Sequence, residues 1–332
     1  MDKNKAMSFV RQNMAWFILL VVMIIFTFTT NNFLTYNNLM NILMQNAYIV
    51  IAATGVSLIL MSGQVDISIG YQMALCSVIC AKMIAQMGVP VLPACLITIV
   101  IAVLCSVLNC ILSIKLGISR FYVAIGTQTV YQGLSYILSN SLTISGFPSE
   151  FKFLGQGYIG SVSFPVIIMF ILLIVMSFVL NRTYFGRYVY ALGGNPEAAR
   201  LAGINVKKVN LMISAICGVM VGLSSLVLIA RLGSSHATMG PGTEFTVLTG
   251  SLLGGVSIRG GEGKLSGVFA GLIIIAILAN GMQLAGLGIY YQYVAKGVIM
   301  LAAIGFDVYQ LNKRNQARNL RKASEEAKQE KK

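Results

Sequence analysis

Apolar runs long enough to cross a lipid bilayer recur through this chain from Met14 to Tyr309, with only brief polar interruptions. A hydrocarbon core about 30 Å thick takes about 20 helical residues to cross. Such runs fall near 14–30, 46–61, 68–86, 91–113, 120–138, 162–180, 209–230, 245–258, 265–285 and 288–308. Backbone N–H and C=O groups in hydrocarbon must be paired within the protein, so the runs are expected to be helices. The predicted fold is an all-α integral membrane protein of about ten transmembrane helices. The runs 46–61 and 245–258 are short and each abuts a glycine-rich break, so short, tilted, broken or re-entrant helices are expected there. A mean hydropathy of +0.80 and a charged fraction of 10% leave no room for a water-soluble domain.

Charge sets the orientation. With the N-terminus placed inside, the inner loops and tails receive Lys3, Lys5, Arg11, Lys115, Arg120, Arg182, Arg187, Arg200, Lys207, Lys208, Arg259, Lys264, Lys313, Arg314, Arg318, Arg321, Lys322, Lys328, Lys331 and Lys332. Of the 24 lysines and arginines, Lys82, Lys152, Arg231 and Lys296 are left outside or in the membrane. Positive residues accumulate on the cytoplasmic side, so both termini are expected there. The implied organisation is a cytoplasmic N-terminus at 1–13, a transmembrane domain at 14–309 with a cytoplasmic loop at 181–208, and a basic cytoplasmic tail at 310–332. The tail has almost no large apolar residue and cannot pack a core. A net charge of +14 could suggest nucleic acid, but the basic residues sit between apolar segments without a stacking surface, which fits anionic lipid headgroups instead. Lys3, Lys5 and Arg11 ahead of an apolar run resemble a signal peptide; bulky, polar Thr29-Thr30-Asn31-Asn32 offers no small-x-small cleavage site, so a retained first helix is expected.

Catalytic constellations are hard to build. His236 is the one histidine, which excludes a multi-histidine metal site and leaves no Ser-His-Asp set in view; it reads as a polar residue at the outer end of a helix. Cys76, Cys80, Cys95, Cys105, Cys110 and Cys217 lie within apolar stretches and read as small packing residues. Gly155-Gln156-Gly157-Tyr158-Ile159-Gly160 matches a dinucleotide-binding spacing but lacks the strand, helix and downstream acid that such a site needs. Gly263-Lys264 is followed by Leu265, and Ile258 stands where a phosphate loop needs glycine. No catalytic residue, metal site or cofactor is expected in this chain, and ATP and Mg chemistry would belong to a partner.

The loop from Asn181 to Lys208 carries the strongest local signal. In Gly193-Gly194-Asn195-Pro196-Glu197-Ala198-Ala199-Arg200-Leu201-Ala202-Gly203-Ile204, Asn195 suits an N-cap and Pro196 the first helical position. Glu197 faces the positive end of the helix dipole, and Gly203 suits a left-handed C-terminal position. The spacing predicts a bounded helix of about two turns. Gln45, Asn46, Asp66, Gln128, Gln132 and Lys296 are the polar candidates for a translocation path, with Gln128 and Gln132 on one face. Asp66 or Ser68 is expected to cap the third helix. Glu244 and Asp307 fall near predicted helix ends as hydrated carboxylates. The sequence leaves three roles open for Lys296: pairing with a carboxylate, facing a second copy, or lining the path. Gly267 and Gly271 are expected to allow close helix packing, and the outer connection from Asn140 to Ser163 reads as a surface loop.

Three stretches carry a family resemblance. The Asn195, Ala198, Ala199, Gly203 and Ile204 pattern resembles the coupling helix of bacterial ABC-importer permeases of the ribose, galactose and xylose type. Gly63-Gln64-Val65-Asp66-Ile67-Ser68-Ile69-Gly70 resembles that family's Gly-x-Leu/Ile-Asp-Leu-Ser-Val-Gly segment, with Val65 at a position where Ile is commoner. Gly254-Gly255-Val256-Ser257 followed by Gly260-Gly261-Glu262-Gly263 resembles its glycine-rich segment. The resemblance runs from about residue 10 to 310, with the motifs in the family's order.

It implies the permease subunit of a monosaccharide importer, in which Asn195, Pro196, Glu197, Ala198, Ala199, Arg200, Gly203 and Ile204 couple to a cytoplasmic ABC ATPase. An extracytoplasmic sugar-binding protein would deliver the cargo, and the permease would pair with a second copy or a paralogue in the bacterial cytoplasmic membrane. Related permeases carry nucleosides or branched-chain amino acids, so the cargo class is the less constrained part. The alternative is a gradient-driven transporter or facilitator of a small polar solute; a membrane-embedded enzyme is the third and least supported reading.

Overall fold

The computed structural model describes residues 14–30, 32–305 and 308–309. The N-terminal segment 1–13 with Lys3, Lys5 and Arg11, the carboxylate Asp307, and the tail 310–332 lie outside the described residues. In chain order the elements are α1 (Met14–Thr29), α2 (Tyr36–Met61), α3 (Ile69–Ala85), α4 (Val91–Leu116), α5 (Arg120–Ser139), β1 (Ile144–Ser145), α6 (Ser149–Gln156), β2 (Tyr158–Ile159) and β3 (Val162–Ser163). They continue as α7 (Phe164–Arg182), α8 (Tyr184–Gly194), α9 (Pro196–Leu201), α10 (Val206–Leu232), β4 (Ser234–Ser235), α11 (Thr243–Leu253) and α12 (Leu265–Leu284), followed by an apolar helix α13 (Ile289–Gly305). Among the described residues, α2, α4, α7, α10 and α12 are long and apolar enough to cross a membrane. The chain is an all-α, multi-span membrane protein.

Helix α10 is the central pillar, packed against α4, α2, α6 and α3. Its most apolar stretch is 72% buried, against 33% for α4 and α7, which turn more of their apolar surface outward. Lipid tails are as apolar as leucine, so helices in a bilayer associate through close packing rather than the hydrophobic effect. Glycines provide that closeness here. A Cβ on Gly218 would lie 2.5 Å from the Val103 Cα, and one on Gly55 would lie 2.8 Å from the Cys217 Cα. Helix α1 packs on α12, where Trp16 meets Phe269 and the Phe26 ring fills the space beside Gly281.

Several expectations from sequence change. Helix α2 begins at Tyr36 rather than near 46; Asn37, Asn38, Asn41, Gln45 and Asn46 dilute its hydropathy, yet Thr35 caps it by accepting from the Asn38 N–H, and Asn38 exchanges side-chain hydrogen bonds with Asn280 of α12. Its 26 residues extend roughly 39 Å, a full span. The connection 140–163 is a built cap rather than a plain loop: β1 pairs antiparallel with β4, β2 with β3, and α6 buries Phe151 while Gly155 abuts the Ala230–Arg231 backbone. Tyr36 also donates to the Ser161 carbonyl.

Glu244 is another. It is 3% exposed in the first turn of α11 rather than hydrated, accepts from the Gly242 N–H, and lies against Gly70. Helix α11 starts inside the bundle, which is why its first carboxylate is enclosed. With 11 residues it covers roughly 16 Å, about half a hydrocarbon core, as the short 245–258 run suggests.

Candidate functional site

At one end of the bundle, α8 and α9 form a hook between α7 and α10. Thr183 opens α8, its side chain accepting from the Gly186 N–H. Asn195 breaks it and caps α9: its backbone is extended, and its Oδ1 accepts from the Ala198 N–H at 3.0 Å. Pro196 takes the first helical position and Glu197 the first turn. Gly203 ends the helix at φ +84°, with its N–H donating to the Arg200 carbonyl and the Ile204 N–H donating to the Ala199 carbonyl, both at 3.0 Å. Asn205 then caps α10 through the Lys208 N–H at 3.0 Å. The bounded helix read from the sequence is therefore present, from Pro196 to Leu201.

Only Ala199 of α9 is buried; Leu201 is 82% exposed, and the Glu197–Arg200 pair at 2.9 Å stands in solvent, where it contributes little. Ile204 packs its side chain back onto the main core.

The last residues of α8 sit on a contact between three chain segments distant in sequence. A Cβ on Gly193 would overlap the Met61 carbonyl oxygen and the Gly261 nitrogen, and one on Gly260 would lie 2.6 Å from the Gly63 Cα and 2.9 Å from the Gly193 Cα. The Gly261 N–H donates to the Met61 carbonyl at 2.8 Å. Gly63, Gly260 and Gly261 all have φ near +80° (80, 82 and 77), a conformation that admits glycine far more readily than other residues. Tyr190 of α8 adds a side-chain tie, its hydroxyl donating to the Gly263 carbonyl at 2.9 Å. Burial pushes the Tyr190 phenol above its ordinary value. The three motifs noted in the sequence thus meet at one place, beneath α9.

Behind this contact lies an ion pair that sequence reasoning misses. Arg120, counted from sequence as a loop charge, is 2% exposed; its Nε is 2.9 Å from Asp66 Oδ2. One guanidinium N–H₂ donates to Ser214 Oγ at 2.6 Å, and the other to the Ser106 carbonyl and hydroxyl. Asp66 Oδ1 accepts from the Ser68 N–H and hydroxyl, and Asn109 bridges Asp66 and Ser68. Ser214 is eight residues into α10, roughly 12 Å from its start, so the pair is well inside the bundle. Ser68 occupies the N-cap position of α3 without a side-chain capping bond, because its hydroxyl is turned to Asp66. A buried Arg whose donors are this fully used is a tether between α3, α4, α5 and α10.

The polar path candidates separate by their surroundings. Asn46 donates to the Ile42 carbonyl of its own helix, and Gln132 donates to the Ala237 carbonyl at 2.8 Å. Gln45 is exposed, while Gln128 is half-buried on α5. Lys296 of α13 is half-buried and borders a narrow crevice with Gln292, Ala279, Met282 and Ile275. His236 bonds Thr238 Oγ1 through Nδ1 at 2.7 Å, at the β4 end of the bundle. The six cysteines are buried and unbridged. Among the described residues, no three metal-ligating side chains come together.

Residues 38–304 match the family described as branched-chain amino acid transport system / permease component. The chain is 34% identical over 291 residues to the ribose import permease protein RbsC of Bacillus subtilis (strain 168), covering 87% of this chain and 90% of that protein. It is 32% identical over 293 residues to the ribose import permease protein RbsC of Escherichia coli (strain K12), covering 87% and 91%. With the galactose/methyl galactoside import permease protein MglC of Escherichia coli (strain K12) the identity is 31% over 325 residues, covering 92% and 97%. No solved structure matches the chain.

Proposed function

This chain belongs to the family of branched-chain amino acid transport system permease components, and we propose that it moves a monosaccharide across the bacterial cytoplasmic membrane as the permease subunit of an ABC importer. Similarity to ribose and galactose import permeases over nearly the whole chain supports a pentose or hexose cargo. The observation that carries the reading is α9: a capped helix held out from the bundle with Leu201 exposed and Ala199 alone buried. A helix so bounded and so little used for packing suits a cleft on another protein. In this reading the other protein is a cytoplasmic ABC ATPase that contributes ATP and Mg chemistry. An extracytoplasmic sugar-binding protein docks at the opposite end, and a second copy or a paralogue completes the pathway.

The membrane passes in this account are α1 to α5, α7 and α10 to α13, about ten in all, with α11 a half-length segment. Placing α8 and α9 in the cytoplasm puts both termini there as well, in accord with the bias of basic residues toward that side. Residues 1–13 and 310–332 flank the permease domain 14–309 on that face. Asn195, Pro196, Glu197, Ala198, Ala199, Arg200, Gly203 and Ile204 form the docking element. Gln45, Gln128 and Lys296 offer polar groups to the path, while Asp66, Asn46 and Gln132, held by their own hydrogen bonds, shape its walls.

Replacing Leu201 by Asp places a charge where an apolar side chain would be covered on docking. The expected result is a loss of about tenfold or more in co-purification of the ATPase, with permease levels in the membrane unchanged, since buried apolar anchors dominate interface energies. Undiminished co-purification of the ATPase with Leu201→Asp, together with normal stimulation, would count against docking at α9.

A further inference from the structure

Gly193 and Gly194 are adjacent in sequence and opposite in surroundings. A side chain on Gly194 would meet nothing within 4 Å, whereas one on Gly193 would collide with the Met61 carbonyl, the Gly261 nitrogen and the Gly260 carbonyl carbon. At Gly193 the end of α8 therefore meets α2 and the 254–264 segment backbone to backbone, with no side chain in between to rotate and absorb a displacement. Two hydrogen bonds lock the contact, Gly261 N–H to Met61 and Tyr190 hydroxyl to Gly263.

The 254–264 segment leads directly into a stiff unit. On either side of it α11 and α12 touch backbone to backbone: a Cβ on Gly271 would overlap the Gly250 carbonyl oxygen, and one on Gly267 would overlap the Gly254 carbonyl oxygen. Helices that close cannot slide past one another without a clash, so they move together. The far end of this unit reaches α3, where the segment before α11 packs Gly240 on the Gly70 carbonyl and Glu244 lies against Gly70 itself.

We propose that the Met61–Gly63, Gly193 and Gly260–Gly261 contact is the joint that converts movement of α9 into movement of the α11–α12 unit, with Gly193, Gly260 and Gly261 as positioning residues and Tyr190 as the tie that keeps them engaged. This rests on the reading of α9 as the ATPase-docking element. The joint passes displacement from α9 through the α11–α12 unit to the Gly70 end of α3 along close backbone contacts.

The test compares Gly193→Ala with Gly194→Ala in the full importer reconstituted into vesicles with its ATPase and binding protein. Labelled ribose and galactose are the probes, and sugar imported per ATP hydrolysed is the readout. Gly193→Ala is expected to keep its ATPase and its hydrolysis while the ratio falls about tenfold, as for substitutions along a coupling network; Gly194→Ala is expected to match the wild type. Tyr190→Phe, which removes one hydroxyl and creates no overlap, is expected to lower the ratio severalfold and decides the matter should Gly193→Ala fail to accumulate. Wild-type ratios in both Gly193→Ala and Tyr190→Phe, an equal fall in Gly194→Ala, or a fall that merely tracks loss of the bound ATPase would each overturn the joint alone. A wild-type chain that recruits no ATPase, or imports neither sugar, overturns the functional reading and the joint with it.

Discussion

Arg120→Ala is expected to destabilise the fold severely. The substitution leaves the Asp66 carboxylate with the Ser68 and Asn109 donors but without its counter-charge, in a position from which water is excluded. It also strips the Ser106 carbonyl and the Ser214 hydroxyl of a donor. Breaking a buried ion pair from one side costs about 3–5 kcal/mol, because a charge is left uncompensated. Folded proteins are stable by only about 5–15 kcal/mol, so that loss is severe. Size-exclusion profiles and thermal unfolding in detergent are the measurements: the single variant should aggregate or melt far below the wild type. The Asp66→Leu/Arg120→Met double variant removes both charges and should lie closer to the wild type than either single change. A hydrated loop arginine would behave in the opposite way, with Arg120→Ala nearly silent.

Gly271→Leu should be comparably damaging by another route. The glycine faces the Gly250 carbonyl oxygen and lies 2.8 Å from the Gly254 nitrogen at the place where a Cβ would start, and Gly250 in turn receives the Leu272 side chain. Backbone borders the site on the α11 side, so nothing can rotate away. Ordinary overpacking costs about 1–3 kcal/mol, and separating two helices along their whole contact should exceed it. Gly297→Leu on α13, with open space around the glycine, is the matched control. Folded yield of the two variants is the comparison; equal yields would mean that α11 and α12 are not in direct backbone contact.

What is decided locally is legible in the sequence. Capping acts within a few residues, so Asn195, Pro196 and Gly203 announce α9 by their order and spacing alone, and the apolar runs of α4 and α7 do the same for a span. Long-range pairing has no such signature. Asp66 and Arg120 are 54 residues apart, and Arg120 follows a Gly-x-Ser turn as a loop cation would. The asparagines of α2 look like a polar connector, because the group that satisfies one of them, Asn280, belongs to a helix far along the chain. Glycine is ambiguous in the same way: Gly193 and Gly194 are indistinguishable in sequence, and only the three-segment contact separates the one that cannot change from the one that can.

The exposed helix α9, the Met61–Gly63, Gly193 and Gly260–Gly261 contact beneath it and the closely packed α11–α12 pair behind it form one continuous line of contacts. If that line drives transport, sugar moves only when a partner hydrolyses ATP. The decisive measurement is uptake of labelled ribose and galactose into vesicles carrying the complete importer, with the ATPase intact or with its phosphate-loop lysine replaced. Uptake should require ATP, fall to background on that replacement, and stay there under an imposed proton or sodium gradient. Uptake that persists unchanged with the inactive ATPase, or that follows the gradient, would contradict the proposal that an ATPase docked at α9 powers the pathway.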